Sequence, residues 1–378
     1  MSAATTTPHA PWPTVKLGDV CEVRAGATHH TVQSEDGIYP VFGSGGYICQ
    51  ATEFRCPANT VTIGRKGTLD KPLLIEEPFW NIDTCFGVIP GEKILSRYLW
   101  RFCQNFDFYH LVPSLGRPST NSEAIKNISI PLPPLEVQRE IVAKVEAGLK
   151  EADGLVAHFK RLTALADDTF KAELDETFST LNAPTVKLGD VCKIVNGFTP
   201  LKSNPSYWVC GTIPWFTIDD VRKRGRFIYE TQQFITSEAL VKNTERLIPP
   251  ESVLLCCTAS IGEYAFTKIP LTTNQQFNAL IVKDEWKEKL LSLYLYEFSK
   301  TLKETLIRSA GKTTIHFVSV GKVSNISIPL PSLDIQREIV GKLEAVKARC
   351  KRLKAEAERG LKAAEALRKA VLAEAFEQ

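Results

Sequence analysis

The sequence NISIPLPPLEVQREIVAKVE at residues 127–146 decides the fold, because the chain contains it twice. Residues 325–344 repeat it with 15 of 20 positions identical. Each copy begins as a proline-stiffened extended segment and continues as an amphipathic pattern. Pro134 suits the first turn of a helix, and Glu136 and Asp334 lie where the positive end of a helix dipole favours a carboxylate. The repeat therefore predicts a strand-to-helix junction that the chain uses twice.

Apolar and small residues recur every seven positions after each junction. The first run contains Ile141, Gly148, Leu155, Leu162 and Thr169 together with Val145, Ala152, Phe159 and Ala166. The second run contains Ile339, Val346, Leu353, Gly360 and Leu367 together with Leu343, Cys350, Ala357, Ala364 and Val371. A seam of more than four heptads predicts a coiled coil, and its small residues allow two helices to approach closely. Each helix would be roughly 65 Å long.

The two predicted helices, residues 134–182 and 332–378, are suited to pair with each other. The first carries 6 basic and 10 acidic side chains, and the second carries 11 basic and 8 acidic side chains. Their net charges are therefore opposite. The alternative is that they are two unrelated surface helices, each packed on its own domain.

A second repeat opens the globular segments. Residues 13–21, PTVKLGDVC, recur at residues 184–192, an offset of 171. The junction recurs at an offset of 198, so that the second globular segment is 27 residues longer than the first. Identical entrances and exits around different interiors indicate two modules on one frame, an internal pseudo-twofold repeat.

The predicted fold class is α+β, with two small α/β domains separated by the pair of long helices. We expect residues 1–12 to be a disordered arm, and residues 13–133 and 183–331 to be the two domains. Their expected elements include a strand at residues 60–63 and helices at residues 95–109 and 289–306.

The composition excludes several classes of protein. The hydrophobic content of 44% is ordinary for a globular protein, and no apolar run reaches membrane-spanning length. The start of the chain lacks a signal-peptide pattern, and the 10 cysteines form no Cys-x-x-Cys pair. We therefore expect a cytoplasmic protein without a zinc site or a disulfide framework, and no membrane partner. The net charge of +3 is too small to identify a nucleic-acid partner.

No catalytic motif is complete. The segment Gly311-Lys312-Thr313 ends like a phosphate-binding loop, but Leu306 stands where the first glycine of that loop should be. The segment at residues 204–207, Asn-Pro-Ser-Tyr, is close to the Asn-Pro-Pro-Tyr of adenine methyltransferases, yet no cofactor loop accompanies it. We predict a non-catalytic chain with no cofactor and no metal.

The repeated segments together resemble the specificity subunit of type I restriction–modification enzymes. The matching features are the junctions at residues 131–141 and 329–339, the VKLGDV openings at residues 15–20 and 186–191, the segment GRKGT at residues 64–68, and the long helices. The resemblance covers nearly the whole chain. It implies two target-recognition domains that each read half of a split double-stranded DNA sequence, and two antiparallel helices that hold the domains apart. It further implies two methylation subunits, which carry S-adenosylmethionine, and restriction subunits, which carry the ATP-driven activities, as partners.

Basic and polar residues on predicted loops are the candidates for DNA contact, because such residues bind phosphates and can read base edges. In the first domain they are Ser44, Arg65, Lys66, Asn81 and Arg117. In the second domain they are Arg222, Lys223, Arg224, Arg226, Thr258, Ser260, Gln275, Gln276 and Lys312. An ordinary solvated loop residue is the competing interpretation of each.

Two other functions compete with a recognition and assembly subunit. A stand-alone bipartite DNA-binding regulator would need no partner, but the long helices exceed what holding two small domains requires. An enzyme with its own methyltransferase site would need the cofactor loop that the sequence lacks.

Overall fold

The structure of the protein is a computed structural model that describes residues 12–112, 119–241, 243–310 and 317–376. The predicted arm, residues 1–12, lies outside the described residues except for Trp12. The chain divides into two compact units. The first unit is Met1–Arg161 with Glu356–Gln378, and the second unit is Leu162–Ala355.

The first half of the chain contains nine strands and four α-helices in its described part. The strands are β1 (Thr14–Lys16), β2 (Cys21–Ala25), β3 (Tyr39–Gly43), β4 (Gly46–Ala51), β5 (Thr60–Gly64), β6 (Leu73–Ile75), β7 (Trp80–Asn81), β8 (Cys85–Pro90) and β9 (Ser129–Pro131). The helices are α1 (Leu17–Val20), α2 (Ser96–Asn105), α3 (Ser122–Lys126) and α4 (Leu135–Ser179), with a 3-10 turn at Phe108–Leu111.

The second half repeats this order with additions. Its strands are β10 (Thr185–Lys187), β11 (Cys192–Asn196), β12 (Ile213–Phe216), β13 (Phe227–Ile228), β14 (Gln233–Ile235), β15 (Val253–Cys256), β16 (Tyr264–Thr267), β17 (Thr272–Thr273), β18 (Phe277–Val282) and β19 (Ser327–Pro329). Its helices are α5 (Leu188–Val191), α6 (Ile218–Arg224), α7 (Ser237–Leu240), α8 (Ser292–Ser299), α9 (Lys303–Ala310), α10 (Val320–Ser324) and α11 (Leu333–Phe376). The 3-10 turns are Pro205–Tyr207, Thr244–Arg246 and Asp284–Trp286.

The two units share one sheet topology, to which the second unit adds a fifth strand in the larger sheet. The first unit contains the pair β1-β9, a larger sheet of order β2-β8-β5-β6 and a smaller sheet of order β4-β3-β7. The second unit contains the pair β10-β19, a larger sheet of order β11-β18-β15-β16-β13 and a smaller sheet of order β14-β12-β17. The central strand of each smaller sheet has one antiparallel and one parallel neighbour. The predicted mixed α/β fold with an internal repeat is confirmed.

The largest difference between the two units is a connection within the smaller sheet; the second unit also has α7 and a 3-10 turn between β14 and β15, where residues 52–59 of the first unit form no helix. In the first unit, the antiparallel strands β3 and β4 are joined by a tight turn of Ser44 and Gly45. In the second unit, residues 217–232 separate the corresponding strands β12 and β14 and form α6 and β13. Strand β13 adds a fifth strand, parallel to β16, to the larger sheet. This insertion accounts for a large part of the extra length of the second module.

The repeated sequences close each unit. Val15 lies opposite Ile130 in the pair β1-β9, and Val186 lies opposite Ile328 in the pair β10-β19. Both isoleucines are fully buried. The entrance and the exit of each globular segment are therefore held together by one short antiparallel pair, which explains why these stretches are the ones that the chain repeats.

An aromatic contact joins a long helix to the globular part of each unit. In the first unit, the ring of Phe376 in α11 lies 5.3 Å from the ring of Tyr98 in α2. In the second unit, the ring of Phe178 in α4 lies 5.6 Å from the ring of Tyr294 in α8. Phe178 and Phe376 are 198 residues apart, so that the repeat extends to the ends of the long helices.

Within the first unit, the halves of α4 and α11 pack against each other in antiparallel order. Asp153 forms an ion pair with Arg368 at 3.1 Å, and a Cβ atom at Gly360 would lie 2.3 Å from the ring of Phe159. Gly148, which precedes both of these in α4, lies against Val371, which follows both in α11. The glycines let the two helices approach closely.

The second unit shows the same antiparallel order. Glu173 forms an ion pair with Lys342 at 2.5 Å, and Asp167 forms an ion pair with Lys354. In all three ion pairs the carboxylate belongs to α4 and the cation to α11. The opposite net charges of the predicted helices are therefore used in direct contacts.

Part of the predicted seam is buried and part is not. The buried members are Val145, Ala152, Ala166, Ile339, Leu343, Cys350, Ala357 and Ala364. Leu155 and Leu367 are 36% and 40% exposed, and Thr169 is exposed as well, which corrects the placement of these three residues in the seam. The other ladder keeps its seven-residue spacing: Val145, Ala152 and Ala166 are buried in α4, and Leu343, Cys350, Ala357 and Ala364 are buried in α11. The heptad therefore holds for one ladder of each helix, and the second ladder is only partly covered.

Two predicted helices have different bounds in the structure. The helix predicted at residues 95–109 is Ser96–Asn105, followed by a 3-10 turn. The helix predicted at residues 289–306 is two helices, Ser292–Ser299 and Lys303–Ala310. The hydroxyls of Ser299 and Thr301 donate to the carbonyl oxygens of Tyr296 and Phe298 at the end of the first of these helices, which is how these residues compete with helical hydrogen bonds.

Candidate nucleic-acid interfaces

In the first unit, three of the predicted residues lie around one threonine. The main-chain N–H groups of Arg65 and Lys66 donate to the carbonyl oxygen of Thr84 at 2.8 and 3.2 Å. The Thr84 hydroxyl accepts from the N–H of Ser44 at 3.2 Å. The tight turn between β3 and β4 and the loop after β5 therefore form one surface. Lys66 is exposed, and its ammonium lies 3.9 Å from the Asp83 carboxylate.

Asn81 is not part of that surface, which corrects its selection as a base-reading residue. Its side chain is 0% exposed. The amide nitrogen donates to the carbonyl oxygens of Arg24 and Cys85 at 3.2 and 3.4 Å, and the amide oxygen accepts from the Cys56 thiol at 3.4 Å. A buried amide with three partners serves the fold, because leaving those partners unpaired would be costly.

In the second unit, the cluster of basic residues lies on a helix and not on a loop. Thr217 and Asp220 form a capping box that starts α6, and Asp220 is 0% exposed. Arg222, Lys223 and Arg224 therefore occupy the last turn of a helix, where cations interact favourably with the helix dipole. Gly225 ends the helix at φ +87°, a conformation that favours glycine.

The four basic residues have different partners. Arg222 and Lys223 are exposed and contact the exposed Asp219 carboxylate (3.4 Å) and the Gln232 amide oxygen (2.8 Å) respectively. Arg224 forms an ion pair with Glu230. Arg222 and Lys223 are the ones available to a ligand, whereas Arg224 contributes to holding the insertion together.

Arg226 is held in place by three contacts with the start of β16. Its guanidinium donates to the carbonyl oxygen of Tyr264 at 2.8 Å, pairs with the Glu263 carboxylate at 2.8 Å and stacks 4.0 Å from the centre of the Tyr264 ring. The side chain is thus oriented by the protein before any ligand arrives.

A cleft of about 740 Å³ brings Arg222, Arg226 and Ser260 together. It lies between α6, the loop from β15 to β16 and α9. Lys303 and Glu263 also line it, and neither was among the predicted residues. No motif marks Lys303 in the sequence; it becomes visible only because the break after α8 places a new helix start at this cleft.

Thr258, Gln275 and Gln276 lie together beside the larger sheet of the second unit. The N–H of Cys257 donates to the carbonyl oxygen of Gln276 at 2.7 Å, which joins the loop after β15 to the turn before β18. The Gln275 side chain is exposed and accepts from the Thr199 hydroxyl. This surface is rich in amides and hydroxyls and has few charges.

The loops after β5 and after β15 occupy equivalent positions in the two units. Lys66 forms an isolated bridge with Ser119, and Thr258 forms one with Phe317, 198 residues after Ser119. Both bridges lie beside polar loops in the sequence that contain Arg117 and Lys312, which are outside the described residues. One unit therefore presents a cation where the other presents a hydroxyl.

The described residues contain no arrangement of three or more His, Cys, Asp and Glu side chains that could hold a metal ion. Burial raises the pKa of the Cys85 and Cys257 thiols to about 12, so that both stay protonated at neutral pH and are poor nucleophiles.

Within the described part of the chain, no helix combines the length and apolarity needed to cross a membrane.

The two units share one topology but have different loops, and each contains part of both antiparallel long helices. This arrangement defines a protein with a duplicated recognition domain. The chain belongs to the family of the type I restriction modification DNA specificity domain, which it matches over residues 10–152 and 182–363. The predicted family resemblance is confirmed.

Individual relatives match part of the chain. The chain is 30% identical to the EcoprrI specificity subunit of Escherichia coli over 182 residues, 46% of this chain and 45% of that protein. It is 34% identical to the MjaIX specificity subunit of Methanocaldococcus jannaschii over 157 residues, 40% of this chain and 35% of that protein. The matched part thus spans less than half the length of either relative.

Solved structures match the fold over almost the whole chain. One comes from a study of complex assembly and conformational transition of the type I R-M system, with a TM-score of 0.75, 21% identity, and coverage of 98% of this chain and 99% of that one. The HsdS subunit from Thermoanaerobacter tengcongensis matches with a TM-score of 0.62, 21% identity, and coverage of 97% and 96%.

Proposed function

We propose that this chain is the DNA sequence-recognition and assembly subunit of a type I restriction–modification complex, and that it has no catalytic site of its own. Residues 13–133 and 183–331 are the two target-recognition domains, and each reads one half of a bipartite double-stranded DNA target. The helices at residues 134–182 and 332–378 set the spacing of the half-sites and dock two methylation subunits; restriction subunits join the same assembly.

The observation that carries this proposal is the position at which the two units differ most. Their frames agree in topology and in the contacts that close them, while one connection of the smaller sheet is a two-residue turn in one unit and a 16-residue insertion with a basic helix in the other. Loops that vary on a rigid scaffold are where proteins place binding residues. Two such loop sets on one repeated frame are what a reader of two different half-sites requires.

The test is to combine the purified chain with DNA and S-adenosylmethionine, with and without a methylation subunit of the same system. We expect sequence-specific adenine methylation only when both proteins are present. Methylation by the chain alone would show that it is an enzyme. Equally specific and equally tight DNA binding with and without the methylation subunit would favour a stand-alone regulator.

A further inference from the structure

We propose that the cleft between α6, the loop Cys257–Glu263 and α9 binds a phosphate of the DNA backbone, and that the Lys303 ammonium is its main positive group. This inference rests on the proposed function, because it takes DNA as the source of the phosphate. It adds a cleft as the site and Lys303 as a residue that the sequence did not indicate.

The charge of the cleft is the first argument. Its lining includes three cations, Arg222, Arg226 and Lys303, and one carboxylate, Glu263. Glu263 is engaged by Arg226 at 2.8 Å. Within the described part of the chain, no carboxylate lies within 4.0 Å of the Lys303 ammonium. The cleft therefore has an excess of positive charge that an anion would neutralise, and Lys303 is its uncompensated member.

The position of Lys303 in its own helix is the second argument. Lys303 is the first residue of α9, an eight-residue helix. A cation at that end is opposed by the helix dipole, so that the residue is a poor choice for helix stability. The same helix end favours a bound anion, because its first N–H groups have no helical partners. A phosphate placed there would interact with both the ammonium and the helix terminus.

The loop facing Lys303 is the third argument. A Cβ atom at Gly262, where φ is +86°, would lie 2.7 to 2.8 Å from the Cα, Cβ and Cγ atoms of Lys303. Only glycine permits this approach, and it fixes the stem of the lysine against the loop. Ala259 in the same loop has φ +49°, a backbone conformation that is uncommon for alanine and is found preferentially at functional sites. Between these two residues, Ser260 lines the cleft and offers a hydroxyl donor.

A backbone phosphate fits this cleft better than a base edge does. The cleft is open, and its polar groups are cations and a hydroxyl, without the amide side chains that read adenine bidentately. Those amides, Gln275 and Gln276, lie beside the loop after β15 but do not line the cleft. The cleft would thus position the DNA, while its neighbours read it. Because α6 belongs to the insertion of the second unit, the contact belongs to one half-site only.

The experiment measures the salt dependence of DNA binding by the complex of the full chain with its methylation subunits. Fluorescence anisotropy with a labelled target duplex gives Kd at several KCl concentrations for the wild type, Lys303→Gln, Lys303→Arg and the control Lys287→Gln. Lys287 is also an exposed lysine of the second unit, but it pairs with Asp284 at 2.6 Å and lines a different cleft. Thermal melting of each variant checks that the fold is retained.

We expect Lys303→Gln to reduce the slope of log K against log salt by about 0.9, the value for the loss of one phosphate contact on duplex DNA. Lys303→Arg should keep the wild-type slope, and Lys287→Gln should not change it. The methylated sequence should be the same in all variants. A folded Lys303→Gln complex with the slope of the control would overturn the inference, and so would a change in the letters of the half-site, which would indicate a base contact. Absence of specific DNA binding by the wild-type complex would instead refute the proposed function itself.

Discussion

At the residue scale, one buried glutamine in each unit links the globular segment to the long helix that follows it. The side-chain oxygen of Gln336 accepts from the N–H of Leu291 at 2.9 Å, and its nitrogen donates to the carbonyl oxygens of Lys289 and Pro331 at 2.7 and 2.9 Å. Gln138 makes the same three bonds in the first unit, at 2.8, 3.0 and 2.9 Å. Both glutamines are 0% exposed. One side chain thus satisfies main-chain groups of the helix junction and of the segment that leads into the preceding helix.

Replacement of this glutamine should be among the most destabilising changes in the frame. We expect Gln336→Leu to lower the free energy of unfolding by about 2–4 kcal/mol, because the buried N–H of Leu291 and two carbonyls lose their partner. Denaturant unfolding of the purified chain measures this. Arg337→Ala is the control: its partner is the exposed Asp334 carboxylate, and such pairs contribute about 0–1 kcal/mol. Equal losses for the two variants would show that the glutamine does not anchor the junction.

The same comparison shows what single residues do not reveal in a sequence. Gln138 and Gln336 are identical in the two copies, but nothing in the pattern indicates that they are buried. The amide of Asn81 suggests adenine recognition in the sequence, yet in the structure it donates to two main-chain carbonyls inside the first unit. Whether a polar residue faces the ligand or the core depends on which main-chain groups the tertiary fold leaves without partners.

At the element scale, the long helices were predictable and their contact stripe was predictable only in part. The heptad pattern identifies two long helices with small residues between them, and the structure has helices at Leu135–Ser179 and Leu333–Phe376. It placed Leu155 and Leu367 in the seam, where the structure leaves them exposed. A regular repeat predicts that helices meet, but it does not show which members of each ladder the partner helix covers.

The helix α6 was not predicted from the sequence. Its basic residues and Gly225 favoured a loop, although Thr217 and Asp220 carry the spacing of a capping box. The sequence does not distinguish the two cases, because a glycine that ends a helix, as Gly225 does, and a glycine within a loop look the same in a sequence. The insertion of this helix between paired strands could not be found either, since the interiors of the two modules differ too much to be aligned.

Two glycines of α11 give a matched test of close helix packing. Gly360→Leu should lower the free energy of unfolding by about 1–3 kcal/mol, because its Cβ would lie 2.3 Å from the Phe159 ring. Gly341→Ala should raise it by roughly 0.5–1 kcal/mol, since nothing lies within 4 Å of the added methyl group and alanine is the better helix former. Denaturant unfolding of both variants is the measurement. A stabilising Gly360→Leu would mean that the two helices do not approach at this position.

At the scale of the whole molecule, the sequence contained the duplication, the family and the two long helices. These follow from repeated local patterns, which each copy confirms for the other. The sequence did not show which residues meet in a cleft. Lys303 and the loop at Ser260 are distant in the chain, and only the tertiary fold brings them together.

The proposal that the helices set the half-site spacing predicts a change in the DNA target when they are lengthened. Inserting one heptad in each helix keeps the seam in phase and adds about 10 Å, so that the unread spacer should grow by roughly three base pairs while the half-sites keep their letters. Methylome mapping of a host that carries the variant and its methylation subunits reads the spacer. A folded, active variant with the original spacer would show that helix length does not set it.

Contacts between the two helices give the insertion points for that experiment. Insertion after Leu155 and after Leu353 would use equivalent places in the two sequence copies, but these residues belong to different units. In the first unit, Asp153 pairs with Arg368, and in the second unit, Asp167 pairs with Lys354. Gly360 lies against Phe159 in the first unit, and two further residues along each antiparallel helix are residues 161 and 358. The two insertions therefore belong after residues 161 and 358. They lengthen both helices at the same level, whereas insertions after residues 155 and 353 would leave an out-of-register stretch between them.

The independence of the two recognition domains is the central claim, and an exchange of one domain tests it most directly. Residues 22–126 would be replaced by the corresponding segment of another family member, and the methylated sequence of the host would be mapped. The frame should accept a segment that keeps an aromatic residue at position 98, because Gln138 binds main-chain atoms of the replaced segment and the Phe376 ring packs on Tyr98. Replacing residues 193–324 in the same way is the matched control.

We predict that the first exchange changes one half of the methylated sequence and that the control changes the other half, each with an unaltered spacer. A change in both halves after either single exchange would contradict the account, because it would show that the two domains read the DNA jointly and not as separate modules.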